Sequence, residues 1–232
     1  MLLLIFMLGA CFGSFFYLII TRLEKGESII FPASHCPYCH QQLKFWELLP
    51  IISICLLHFR CRYCHKKIPI SSFVVEILAG SLFIYIFYGY QTDYPHKILA
   101  LFWLSLAFLF SFSDFLYLTI DLRLFFIGHL CLWGLLFYLH QPFFPKNLIW
   151  CSLFLIISLI SRQIYLGNGD LLLACAWFPW LSFQQINILL LIASGLGLMA
   201  FGIARLAKIH EKLQLPFIPF LSIGLLITYF WH

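Results

Sequence analysis

Three acids stand where acids are costly. Glu76, Asp114 and Asp170 lie in or at the edge of long apolar runs, and a carboxylate placed in hydrocarbon usually serves a purpose or reaches an aqueous cavity. Asp114 sits in Phe112-Ser113-Asp114-Phe115-Leu116-Tyr117, and Asp170 closes Gly167-Asn168-Gly169-Asp170. Two carboxylates brought together in a low dielectric cannot both ionise easily, so the pair holds one proton and acts as acid and base together. The charged member draws a proton from water, which attacks a peptide carbonyl, while the neutral member donates to its oxygen. Gly167 and Gly169 let the backbone unwind and approach a substrate strand closely. The chemistry suggested is aspartyl peptide hydrolysis at a membrane face. The plainer alternative is two unrelated acids near the ends of apolar segments.

A second constellation is cysteine. Cys36-Pro37-Tyr38-Cys39 is followed, after 21 intervening residues, by Cys61-Arg62-Tyr63-Cys64. Two CxxC pairs suit a structural Zn²⁺ held by four thiolates, and a module of about 50 residues has too small a core to be secure without such help. Disulfides or free thiols are the alternatives, and a cytoplasmic location argues against disulfides. His35, His40 and His65 are substitute ligands by type, but read as exposed loop residues. Cys11, Cys55, Cys131, Cys151 and Cys175 sit in apolar runs without partners and read as small core residues.

The elements that must position these residues are membrane helices. Of 232 residues 63% are hydrophobic, 19% aromatic and 10% charged, too few charges to cover a water-soluble globule of this size. Disorder, coiled coil, a secreted disulfide scaffold and a nucleic-acid-binding module are excluded as the main description. The apolar residues form continuous runs rather than the alternating segments of a β-barrel. The runs predict an all-α polytopic membrane protein with about eight spans: Met1–Thr21, Phe73–Tyr90, Ile98–Tyr117, Leu124–His140, Asn147–Ile160, Leu171–Leu181, Ile186–Ala204 and Pro216–Trp231. The first is read as a retained span, since it lacks the basic leading segment of a signal peptide. With the N-terminus outside, 12 of the 14 basic residues fall inside, leaving Lys97 and Lys146 outside. Both termini are therefore expected outside and residues 22–72 in the cytoplasm. The organisation is a first span at 1–21, a cytoplasmic zinc-binding domain at 22–72, and a membrane core of about seven helices at 73–232. Asp114 and Asp170 then share one depth on the cytoplasmic side.

The chain resembles the prepilin peptidases, or type IV leader peptidases, among the membrane aspartyl proteases with a GxGD motif. The resemblance runs through Gly13-Ser14-Phe15 with Arg22-Leu23, and through Ser34-His35-Cys36-Pro37-Tyr38-Cys39. It continues through Leu49-Pro50-Ile51-Ile52-Ser53 and Arg60-Cys61-Arg62-Tyr63-Cys64. Ile68 through Val75-Glu76 and Gly80 follows, and then Pro216-Phe217-Ile218-Pro219-Phe220. It implies that Asp114 and Asp170 are catalytic. It also implies that the substrates are prepilin or pseudopilin precursors cut between a basic leader and an apolar helix, in a bacterial cytoplasmic membrane. Many members also methylate the new N-terminus with S-adenosylmethionine, an activity that rests here on the resemblance alone.

Departures from the family pattern are Tyr17 for Asn, Ala33 for Arg, Asp121 for Pro and Leu172 for Lys. None removes a proposed catalytic or zinc residue. Asp121 is read as a solvated ion pair with Arg123. Glu76 is given a supporting role, lining the substrate path or pairing with Lys66 or Lys67. Arg205, Lys208 and Lys212 with Glu211 form the last cytoplasmic loop, and Gly195 and Gly197 read as helix-packing sites. Two competitors remain: a non-enzymatic assembly factor whose zinc module docks a partner, and a presenilin-like protease of unrelated membrane helices.

Overall fold

The computed structural model describes residues 1–90, 92–149, 152, 156, 167–207 and 215–230. The described residues are helical apart from loops, turns and two isolated β-bridges. The helices are α1 (Leu2–Glu24), α2 (Ile52–Leu56), α3 (Ile70–Ile84, continued by a π turn over Tyr85–Gly89), α4 (Tyr94–Tyr117) and α5 (Leu122–Tyr138). After the undescribed stretch come α6 (Asn168–Trp177), α7 (Phe183–Leu206) and α8 (Ile218–Phe230). Among the described residues four helices, α1, α3 with its π turn, α4 and α7, are long and apolar enough to cross a membrane, and α5 and α8 are shorter apolar helices. The expected span at Asn147–Ile160 lies outside the described residues except for residues 147–149, 152 and 156.

The chain divides into two compact units, Met1–Asp93 and Tyr94–His232. In the first unit α1 and α3 pair antiparallel, and glycine permits the approach. A Cβ on Gly9 would stand 2.8 Å from the Ala79 carbonyl oxygen, and one on Gly13 2.8 Å from that of Val75. Gly80 receives the Phe6 ring from the opposite side, at 2.6 Å from where its Cβ would stand. Small residues four apart are a membrane device for bringing two backbones together where hydrophobic burial gives no preference. Further along, the Tyr17 hydroxyl lies 3.0 Å from Ser71 Oγ. The Arg22 guanidinium is buried and donates to the Ser28 and Ile29 carbonyls, fastening the loop after α1 to the helix end.

In the second unit α8 packs on α4 and α7. Ser111 of α4 and Ser222 of α8 bring their hydroxyls within 2.6 Å, and both reach the Ala107 carbonyl oxygen. Gly224 meets the Leu189 carbonyl oxygen, 2.8 Å from where a Cβ would stand. The packing glycine between α7 and α8 is thus Gly224, whereas Gly195 faces open space and Gly197 makes only ordinary contacts. α7 begins with a reciprocal cap: Ser182 Oγ accepts from the Gln185 N–H, and Gln185 Oε1 accepts from the Ser182 N–H.

Cys11, Cys55 and Cys131 are exposed rather than in the core, and Cys151 lies outside the described residues. Apolar runs do not report burial in a chain of this kind, because lipid accepts apolar side chains as readily as a protein interior does. Leu130 and Leu191, each more than seven-tenths exposed, follow the same rule.

Candidate active site and metal centre

The two CxxC segments fold as copies of one knuckle. In the first, the Cys36 N–H donates to the Gln41 carbonyl, the His40 N–H to that of Cys36, and the Leu43 N–H to that of Ser34. In the second, Cys61 donates to Lys66, His65 to Cys61, and Ile68 to Phe59 at the same offsets. His40 and His65 share a left-handed φ of 56°, and the bridges His35–Gln42 and Arg60–Lys67 close the knuckles at equivalent positions. The repetition places the four sulfurs of Cys36, Cys39, Cys61 and Cys64 within 4.8 Å of one another.

Four thiols this close cannot all ionise without a cation. Burial opposes the Cys36 thiolate, but N–H groups of Cys39 and Tyr38 and neighbouring thiols overcome it and bring the pKa down to about 7. At Cys64 the Lys66 N–H favours the thiolate, yet burial and the other three thiols together push it up to about 11. A dication resolves that conflict, so the donor set fits a tetrahedral metal. Among the described residues no histidine joins the cluster. His35 instead turns its Nδ1 to the Ala33 carbonyl and stacks on His40 at 5.7 Å.

Glu76 is buried, at 2% exposure, and is not held by Lys66 or Lys67. Its Oε2 accepts from the Ile51 N–H at 2.7 Å, with the Ser14 and Ser72 hydroxyls beside it. A backbone partner of this kind leaves no trace in sequence. Asp121 is likewise not a loop ion but the N-cap of α5, its Oδ1 accepting from the Leu124 N–H at 2.9 Å. The basic loop residue Arg205 ends α7, while Lys208, Glu211 and Lys212 lie outside the described residues.

Asp114 occupies the last turn of α4 and is half-buried; Asp170 occupies the first turn of α6 and is buried. Asp114 Oδ2 accepts from the Ile218 N–H at the start of α8, at 3.2 Å. Asp170 Oδ2 turns back to the Gly167 N–H, also at 3.2 Å. The two carboxylates lie within electrostatic reach of each other.

The elements meet through Gly169: a Cβ there would stand 2.7 Å from Ile120 Cδ1 and 3.3 Å from Ile218 Cδ1. A Cβ on Gly167 would stand 3.1 Å from Asp170 Oδ2 itself. Both glycines are therefore space requirements, one for the meeting of the α4–α5 loop, α6 and α8, the other for the carboxylate. Such a pair, with Asp114 held by the backbone N–H groups of Ile218 and Phe217 and Asp170 by that of Gly167, can act as a joint acid and base.

One residue escaped the sequence reading. His129, buried in α5, accepts at Nε2 from the indole N–H of Trp177 at 3.1 Å and donates from Nδ1 to the Phe125 carbonyl at 2.9 Å. Indole can only donate, so the partners fix a neutral imidazole with its proton on Nδ1. The ring also stacks on Phe110, one turn before Asp114 in α4. His129 thus ties α5 to the far end of α6, the helix whose first turn holds Asp170. An ionisable side chain inside an apolar run was the available signal. His129→Phe leaves a buried indole N–H unpaired and is expected to cost about 1–3 kcal/mol, read by thermal unfolding in detergent. Adding Trp177→Phe is expected to cost little more, because the donor is already idle.

Comparison with known proteins adds the family context. A family model described as Bacterial Peptidase A24 N-terminal domain matches residues 7–90, nearly the extent of the first compact unit. Similar proteins include one from Neisseria gonorrhoeae, 29% identical over 87% of this chain and 81% of its own length. One from Legionella pneumophila is 30% identical over 90% and 76%, and one from Aeromonas hydrophila 27% over 98% and 90%. Each carries the name prepilin leader peptidase/N-methyltransferase. No solved structure matches the chain.

Proposed function

Since the chain belongs to the prepilin leader peptidase/N-methyltransferase family, we propose that it is an aspartic endopeptidase removing the basic leader of prepilin or pseudopilin precursors, with Asp114 and Asp170 as its dyad. The observation that supports this reading is that the carboxylates of Asp114, at the end of α4, and Asp170, at the start of α6, lie within electrostatic reach of each other, each with an oxygen held by a backbone N–H. The ionised member takes a proton from water, whose oxygen attacks the scissile carbonyl. The neutral member gives its proton to the carbonyl oxygen, so charge never builds up uncompensated. Collapse of the tetrahedral intermediate expels the new N-terminal amine, which takes a proton from the carboxyl group that accepted it from water. The other carboxylate takes back a gem-diol proton as the carbonyl re-forms, restoring the one-proton pair. Ile218 and Gly167 do not take part in proton transfer; their N–H groups hold the carboxylates in register through it.

The setting we propose is a bacterial cytoplasmic membrane crossed about eight times, with both termini outside and the four-cysteine module in the cytoplasm. Positive charge on the module side supports this orientation. There the junction of a basic leader and an apolar helix meets the dyad. Cys36, Cys39, Cys61 and Cys64 hold a structural zinc ion, whose contribution is cross-linking the two knuckles rather than chemistry. The amine released by cleavage is the nucleophile that S-adenosylmethionine would methylate; none of the residues above is assigned to that donor.

Incubation with a pilin precursor, followed by N-terminal sequencing and mass measurement, tests the reading: one cut before the apolar helix is expected. An intact precursor would favour an assembly factor, and cuts independent of the leader's basic residues would favour a presenilin-like protease.

Gly169→Ala offers a sharper check on the geometry. Its methyl group meets Ile120 Cδ1, and overpacking of this kind costs about 1–3 kcal/mol. Cleavage is expected to fall, and Ile120→Val on the same chain, by removing that methyl, is expected to restore most of it. A rate unchanged by Gly169→Ala would speak against close approach at the dyad.

A further inference from the structure

Between Lys44 and Arg60 the chain exposes an apolar ridge. The 3₁₀ turn Phe45–Leu48 leads through Leu49-Pro50-Ile51 into α2. Phe45 is 73% exposed, Trp46 67% and Leu56 73%, with Leu48, Leu49 and Ile52 also outward. Ile52 and Leu56 are one turn apart on the same face of α2, while Ser53 and Ile54 form its buried side. The one acid of the segment, Glu47, accepts at Oε2 from the Lys44 N–H at 2.9 Å. In water this would be an unstable surface.

Its position along the bilayer normal follows from one hydrogen bond. Ile51, between the two short helices, donates to Glu76 Oε2. Glu76 lies six residues into α3 from Ile70, about 9 Å along the helix axis at 1.5 Å per residue. The contact is a committed one, because Ile51 is a β-branched residue held at φ 62°, which persists only where the surroundings enforce it. The ridge is therefore tied to the level of a helix long and apolar enough to span the membrane. Basic Lys44 and Arg60 stand at its two ends, and Trp with adjacent Phe at a membrane boundary is the usual interfacial anchor.

We propose that residues 45–56 form an interfacial anchor seated in the headgroup and upper acyl region of an anionic bilayer beside α3, so that the four-cysteine module is mounted on the lipid surface rather than suspended in the cytoplasm. The occupant of the ridge is lipid. The inference rests on reading α3 as a membrane span.

The full chain in vesicles of phosphatidylcholine and phosphatidylglycerol tests it, with the contribution of Trp46 isolated as the difference between the chain and its Trp46→Phe variant. In vesicles whose acyl chains are brominated near the headgroup, most of the Trp46 emission is expected to be quenched, and aqueous iodide is expected to leave it unaffected. Quenching of Trp46 by iodide but not by brominated lipid would overturn the proposal. So would protection from iodide that arises only on adding a pilin precursor, which would make the ridge a protein-docking surface. The remaining tryptophans serve as the internal reference. If brominated lipid quenches them but not Trp46, the anchor fails alone; if it quenches none, the reading of the helices as membrane spans fails with it.

Discussion

Asp114→Asn and Asp170→Asn each leave the chain inserted and folded, and each lowers precursor cleavage by about 10²- to 10⁴-fold, the usual worth of a positioned acid or base. Asparagine is the informative replacement because its amide oxygen can still accept the N–H of Ile218 or Gly167 that the carboxylate now accepts. The local fold is kept while the exchangeable proton is lost. The double variant is expected to be hardly worse than either single one, since two groups that share a proton act as a unit. Initial rates on a purified pilin precursor, with thermal unfolding as the control for folding, measure all three. Independent, multiplicative losses would mean that the acids serve separate roles.

The second large effect concerns the metal. Cys61→Ser is expected to abolish zinc retention, since Cys61 is the buried member of the second knuckle. Structural zinc binds with about 10–16 kcal/mol of apparent free energy in small peptide folds. The module has little else to hold it: the two knuckles touch through sulfur, with Cys36 and Cys64 3.8 Å apart, and through the Lys66 ammonium 4.7 Å from the Tyr38 ring, and each is closed by a single β-bridge. Metal analysis should give about one equivalent for the parent chain, the capacity of one four-thiolate site, and none for the variant, with proteolysis entering residues 36–67 only in the variant.

Loading metal-free protein should release protons. The sign follows from the thiols. Cys36 loses its proton only at about pH 7 and Cys64 at about 11, so at neutral pH protons must leave as sulfur binds metal. Falling pH therefore weakens retention. Retention that is indifferent to Cys61, or loading without proton release, would contradict the four-thiolate site.

What the sequence made legible was chemistry concentrated in few residues. The CxxC pairs carry their own spacing, and the knuckles they form repeat down to the left-handed His40 and His65. Asp114 and Asp170 stood out because acids are rare in apolar runs, and the glycines of the GxGD sequence stood beside one of them. The partners that fix these groups did not stand out, because most are backbone. Nothing in the letters of Ile218, Gly167 or Ile51 says that its N–H will hold a carboxylate.

Apolar runs also failed to distinguish lipid from core. Cys11, Cys55 and Cys131 look like core residues and are exposed. Among the glycines, the spacing at Gly195 and Gly197 suggested packing, while the close approaches to another helix's backbone are at Gly9, Gly13, Gly80 and Gly224. A packing glycine of this kind is set by where another backbone arrives, and that depends on a partner helix distant in sequence. Asp121 shows the opposite error: an acid beside Arg123 suggested an ion pair, but its position before Leu122 made it a helix cap.

The most direct test of the central claim is one measurement on three proteins. The parent chain, Asp114→Asn and Asp170→Asn are each incubated with the same pilin precursor, and the products are read by N-terminal sequencing and mass, which report the cut and any added methyl group together. The account predicts a single cut between the basic leader and the apolar helix by the parent chain, and an intact precursor with either variant over the same time. Undiminished cleavage by either variant, or an intact precursor with the parent, would contradict it.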